Sequence, residues 1–203
     1  MSRLSVEIIT IENTYEFLGD IKSLSFSGQD RSDSAKPSWG IKSNSGTLEM
    51  YDNKGIIDEL KSKGILANSE IKIYLNVANR KEQIGGFYVS NAYRDSQTLK
   101  TKIEFQDVLM SWEEKQMPIY LYLYYPRSIN ADYILNDIIG KAGATLEYAT
   151  EETKKILKGI YIPYPIIEKG SLWSQITALC ELSSCYIYCN DYGIPTIYYG
   201  GGA

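Results

Sequence analysis

Along residues 4–11 (LSVEIITI), apolar Leu4, Val6 and Ile8 alternate with polar Ser5 and Glu7, the two-residue period of a strand with one buried face. Residues 21–26 (IKSLSF) predict a second short strand. The polar stretch 27–38 (SGQDRSDSAKPS) has Gly, Pro and no period, so it predicts a loop longer than most connections. Residues 39–53 predict strand, turn, strand, with Asn44-Ser45-Gly46 supplying the residues of a tight hairpin. Residues 55–65 (GIIDELKSKGI) suit a short helix with Ile56, Ile57 and Leu60 on one face and Gly64 at its end. In 70–77 (EIKIYLNV) the alternation places Ile71, Ile73, Leu75 and Val77 on one face. Residues 86–93 and 98–105 predict a strand pair joined across 94–97, with Phe87, Val89, Leu99, Ile103 and Phe105 toward a core. Closely spaced strands with one short helix favour a small barrel or sandwich over βαβ units. Residues 107–115 predict a short helix or turn that Pro118 stops.

The pattern then changes. Residues 119–125 (IYLYLYY) alternate Ile/Leu with Tyr and predict a further strand, broken by Pro126-Arg127-Ser128. Beyond it, Ala131, Ile134, Leu135, Ile138, Ile139 and Ala142 fall at helical spacing, with Asn130 as cap and Gly143 as stop. Residues 150–157 predict another short helix, acidic at Glu151 and Glu152 and basic at Lys154, Lys155 and Lys158, in the sense the helix dipole favours. Residues 160–167 (IYIPYPII) are extended, because Pro163 and Pro165 exclude a helix. Ser171 caps a helix carrying Leu172, Ile176, Leu179 and Cys180 on one side, and 186–189 pairs with 194–199 across the Asn190-Asp191-Tyr192-Gly193 turn. The terminal Gly-Gly-Gly-Ala suits a linker or a cut end. The expected fold class is α+β, mainly β. The expected domains are a β-barrel or sandwich over 1–117 and a small α+β domain over 118–203.

Composition narrows the chemistry. The 203 residues include no histidine, which removes the commonest general base and metal ligand. The cysteines, Cys180, Cys185 and Cys189, form no C-x-x-C, and small apolar packing accounts for them better than metal or a disulfide. Glu113-Glu114 and Glu151-Glu152 are neighbours in sequence, so on a helix they do not face one another across a cleft as a glycosidase pair must. Asp52-Asn53-Lys54-Gly55 opens like a calcium loop but lacks its remaining ligands, which leaves a strand-to-helix turn. Gly85-Gly86 and the terminal glycines lack the strand and helix context of a phosphate loop. Trp39, Trp112 and Trp173 suit core or interface packing better than sugar stacking. No catalytic, cofactor or metal site is expected. The net charge of −4 argues against a nucleic-acid footprint. No apolar run spans a membrane, and the first residues lack the core of a secretory signal, so folding in the cytosol is expected. Eighteen tyrosines suit half-buried strand positions and protein–protein contacts.

The run Pro37-Ser38-Trp39-Gly40-Ile41-Lys42-Ser43-Asn44-Ser45-Gly46, the strand ending Ile103-Glu104-Phe105-Gln106-Asp107-Val108-Leu109, the IPYP segment, GSLWSQITALCELSSCYIY and the NDYG hairpin together resemble the N-terminal half of bacteriophage tail-hub or baseplate-hub structural proteins. That resemblance covers nearly the whole chain through element order. It implies a tail-tube-like barrel followed by a small α+β domain, in a virion tail component made in the bacterial cytoplasm. In such hubs a second barrel follows and the subunits form trimers; this chain stops where that barrel begins, as a fragment or a shorter tail component. The implied partners are further copies, a trimer being favoured, and tube, tip or fibre proteins. The polar 27–38 loop and the 94–97 hairpin are the expected contact elements, with Asp30, Arg31, Asp33, Lys36, Trp39, Arg94 and Asp95 as candidate residues. The rival reading is a receptor- or carbohydrate-binding module whose Tyr and Trp residues form the contact surface. A cell-wall hydrolase is a third, disfavoured by the missing histidine and cleft pair.

Overall fold

The computed structural model describes residues 3–18, 21–29, 40–78, 80–95, 97–98, 100–116, 128–163 and 170–201. The fold is α+β and mainly β. Two compact units are each built from separated stretches: the first from 1–29, 44–108 and 190–193, the second from 30–43, 109–189 and 194–203.

The first unit contains β1 (Arg3–Ile9), β2 (Thr14–Leu18), β3 (Ile21–Gln29), most of β4 (Gly40–Tyr51), α1 (Ile56–Ser62), β5 (Glu70–Val77), β6 (Arg80–Asp95) and β7 (Lys100–Gln106). Its ladder runs β2-β1-β5-β6-β7-β4, with β3 on β4. Among the described residues these strands form no closed barrel. One face carries the core: Val6, Ile8, Leu48, Met50, Ile71, Ile73, Val89, Ile103 and Phe105 are buried, and Ile57 and Leu60 of α1 join them. Each such side chain removed from water contributes roughly 1.5–3 kcal/mol. The Phe87 and Phe105 rings meet at 4.7 Å, and Phe26 leans on both.

Several expectations are corrected here. Residues 44–46 form no hairpin; β4 runs straight through them for 12 residues. Gly46 is required by a close approach, since a Cβ there would lie 2.3 Å from the Ser25 carbonyl oxygen and 2.6 Å from the Phe105 ring. Residues 27–29 extend β3 instead of opening a loop. Strand β2 was missed, because Thr14–Leu18 offers one buried residue, Phe17. In β5, Leu75 is half-buried and Val77 exposed, beyond a register shift against β6 at Ile73/Tyr74 that ends the buried alternation. Gly86 of β6 lets the 190–193 turn come close, for its Cβ would meet the Tyr192 backbone at 2.7 Å.

The second unit contains the start of β4, a 3-10 turn (Val108–Trp112) from Leu109 on, β8 (Ile129–Asn130), α2 (Ala131–Lys141), β9 (Glu147–Tyr148), α3 (Glu151–Gly159), β10 (Tyr161–Ile162), α4 (Leu172–Ser183), β11 (Cys185–Cys189) and β12 (Pro195–Tyr199). Strand β11 pairs in parallel with β4 through Ile187↔Ile41, and antiparallel with β12, which pairs in parallel with β9. Helix α2 packs on α3 and α4, burying Ile134, Leu135, Ile138, Leu157, Leu172 and Ile176. Both expected caps form, Asn130 accepting from the Tyr133 amide at 2.7 Å and Ser171 from Ser174 at 3.2 Å, and Thr150 caps α3 in the same way, accepting from Thr153 at 3.0 Å. Cys180 and Cys185 are buried free thiols and Cys189 is half-buried. The neighbouring Cys185 thiol, and burial, push the Cys180 thiol well above its ordinary value. Of the proline-rich segment, only Tyr161–Ile162 is a described strand, paired with β8. The expected strand 119–125 lies outside the described residues.

Candidate assembly surface

Of the residues expected to make contacts, Asp30, Arg31, Asp33, Lys36 and Trp39 lie outside the described residues. Arg94 and Asp95 are described, at the end of β6. Arg94 reaches back to α1, where its guanidinium donates to Asp58 at 2.5 Å. That bond raises the Arg94 pKa. Arg94 thus ties the helix to the sheet through its Nη1 atom. Asp95 accepts from the Thr98 hydroxyl at 2.7 Å and the Gln97 amide at 2.9 Å, and these bonds hold its carboxyl below the usual range. Asp95 therefore fixes the turn that ends β6, an Asx arrangement that a turn aspartate forms locally.

The core-opposite face of the first unit's sheet is polar, row by row. Ser27 and Ser45 share a hydrogen bond at 3.0 Å, and Ser25 and Thr47 one at 2.8 Å. The next row places Tyr93 opposite Lys102 and Lys102 opposite Glu49, with Lys22 3.9 Å from Glu49. The last pairs Asp95 with Lys100 and Lys100 with Tyr51. Sequence reasoning missed this face. Its signal was the alternation of Lys100, Lys102 and Glu104 with buried Thr101, Ile103 and Phe105, which states the face but not its neighbours.

A second polar cluster joins β1, β2, β5 and β6. Lys81 donates to Glu7 at 2.6 Å and Glu16 at 2.8 Å, its ammonium lying 4.3 Å from the Tyr74 ring centre. The Tyr74 hydroxyl donates to Glu7 at 2.9 Å. Burial alone would raise the Glu7 carboxyl, but the bonds from Lys81 and Tyr74 outweigh it and hold Glu7 below its ordinary value. Burial, then the Glu7 bond, push Tyr74 up to about 12. The two carboxylates raise Lys81.

In the second unit, Tyr186, Tyr188 and Tyr198 share one sheet face. The Tyr186 ring lies 5.3 Å from Tyr198 and 6.0 Å from Tyr188, and Lys42 sits 4.3 Å from the Tyr186 ring centre. Trp112 is buried and Trp173 half-buried. Glu151 and Glu152 are exposed on the first turn of α3. Among the described residues no cluster of His, Cys, Asp and Glu has the makings of a metal site, and no helix is long and apolar enough to cross a membrane.

No protein-family model and no curated protein matches the sequence. Solved structures do match the fold. The 43 kDa tail protein of prophage MuSo2 from Shewanella oneidensis superposes over 98% of this chain with TM-score 0.60 at 11% identity. A tail protein from Neisseria meningitidis MC58 does so over 98% with TM-score 0.54 at 7% identity. A chain of the Francisella PdpA–VgrG complex matches over 97% with TM-score 0.57 at 18% identity. The chain spans 56% and 52% of the two tail proteins and 31% of the Francisella chain. The likeness to phage tail proteins read from element order is thus borne out as a shared fold.

Proposed function

We propose that this chain is a non-enzymatic structural component of a phage tail or tail-like particle, of the hub, baseplate or tube-end kind, joining the tail tube to the tip. The observation that carries the reading is a fold shared over nearly the whole chain with a prophage tail protein, a second tail protein and a chain of a VgrG complex. It acts by position: the strand-rich unit meets the tube, and the α+β unit braces tip or fibre proteins. Further copies of the chain, as a trimer, complete the assembly, and its place is the virion tail. The 27–38 segment and the 94–97 turn remain the proposed contact elements. Sheets whose end strands lack a partner within one chain find one in a neighbour, and β2 ends the described ladder of the first unit.

The test is location. The chain is tagged in its producing strain, particles are purified, and the tag is found by gold-label electron microscopy. Gold at the tail tip or tube end is expected; intact particles without label overturn the structural role. The second reading, a receptor- or carbohydrate-binding module, draws on the Tyr186, Tyr188 and Tyr198 row, whose rings resemble a stacking platform. It requires saturable quenching of tyrosine fluorescence by host cell-wall oligosaccharides, lost on Tyr198→Ala.

A further inference from the structure

Strand β2 is held differently from the rest of the first unit's sheet. It ends the described ladder and pairs with β1 alone, from Thr14 to Leu18. Of its side chains only Phe17 is buried, while Thr14, Glu16 and Leu18 are exposed. Strand β5, by contrast, lies between β1 and β6 and buries Ile71 and Ile73. A strand with one neighbour and one buried side chain opens more readily than one with two of each. Charge enters at the same place. The register sets Glu7 of β1 directly opposite Glu16 of β2, and like charges so placed weaken a ladder. Lys81, at the start of β6, reaches over β5 to both of them. Its ammonium lies 4.3 Å from the Tyr74 ring centre, 2.6 Å from Glu7 and 2.8 Å from Glu16. Lys72 is also in register with Glu7, but its ammonium stands 3.4 Å from Glu70. One ammonium therefore ties the edge strand to a strand three places into the sheet.

We infer that Lys81 is a latch on β2: this strand opens from β1 as a unit of its own while the rest of the sheet stays folded, and the Lys81 bridge sets how often it does so. Removing the ammonium takes away two ion pairs and leaves Glu7 and Glu16 facing one another uncompensated. The loss therefore exceeds that of a single exposed pair. Opening bares the backbone edge of β1 from Ser5 to Ile9, which β2 otherwise covers. The latch belongs to the first unit alone and stands apart from the proposed tail role.

Hydrogen exchange of individual amides, followed by NMR in the full chain under native conditions, reads each local opening separately. The β2 amides that bond to β1 should exchange at least about tenfold faster than the central amides of β5 and β7. Lys81→Gln should speed β2 exchange about tenfold, the scale of two exposed pairs and one like-charge contact, and leave β7 unchanged. Adding Glu16→Gln to that variant should slow β2 again, because the repulsion with Glu7 is gone. A Lys81 stem that acted by packing alone would give no such rescue. Lys81 is exposed, so unchanged circular dichroism confirms that its variant folds. Native β2 amides exchanging at the rate of β7, no acceleration by Lys81→Gln, equal acceleration of β2 and β7, or no rescue by Glu16→Gln each overturns the inference.

Discussion

At the scale of the residue, Gly46 is tightly constrained. Its neighbours leave no space for a methyl group, because the Ser25 carbonyl and the Phe105 ring converge on it. Gly46→Ala should therefore destabilise the chain by about 1–3 kcal/mol, the usual cost of overpacking, read as a lower urea midpoint. The Glu7 carboxyl makes a second prediction. Its folded pKa lies below its unfolded value, so its contribution is fully present above the unfolded pKa and is lost as pH falls through the folded one. Lys81 runs the other way, contributing below its unfolded pKa and losing that contribution only in strong alkali. The urea midpoint of the native chain should exceed that of Glu7→Gln at neutral pH, and the gap should close below about pH 4, the ordinary carboxylate range. A gap independent of pH would show that Glu7 acts by packing alone.

At the scale of the element, helix starts are built from side chains next to them in sequence. Asp52 is buried and accepts from the Ile56 amide at 2.9 Å and the Ile57 amide at 2.7 Å, which is what the turn at 52–55 is for. Asp52→Ala leaves both donors without that acceptor and should cost about 1–3 kcal/mol. Ser171→Ala removes the cap of α4 and should cost about 1 kcal/mol. Thermal unfolding followed by circular dichroism checks both, with Asp52→Ala the larger loss. The Ser171 cap was legible because it lies within a few residues of the amide it serves, whereas the segment of Asp52 read only as a turn. The expected hairpin at 44–46 failed for the converse reason. Asn-Ser-Gly suits a tight turn locally, but β3 on one side and β7 on the other hold those residues extended.

At the scale of the whole molecule, the proposed assembly role separates folding from incorporation. Deleting residues 30–35 should leave the unfolding free energy of the purified chain within about 0.5 kcal/mol of the parent, while particle assembly is blocked. Normal incorporation of the deletion variant counts against contact through that segment. Element type and facing were legible along the chain alone: alternation in β1 and β7, helical spacing in α2 and α4, and the caps Asn130 and Ser171. Those features arise between residues a few positions apart, whose geometry the backbone alone dictates. Which strands are neighbours emerged with the folded chain. Glu7 and Lys81 meet across 74 positions, Arg94 and Asp58 across 36. The same holds for Gly46 against Phe105. Such pairings depend on the register of separate strands, and a period of two along one strand fixes a face without naming what lies beside it.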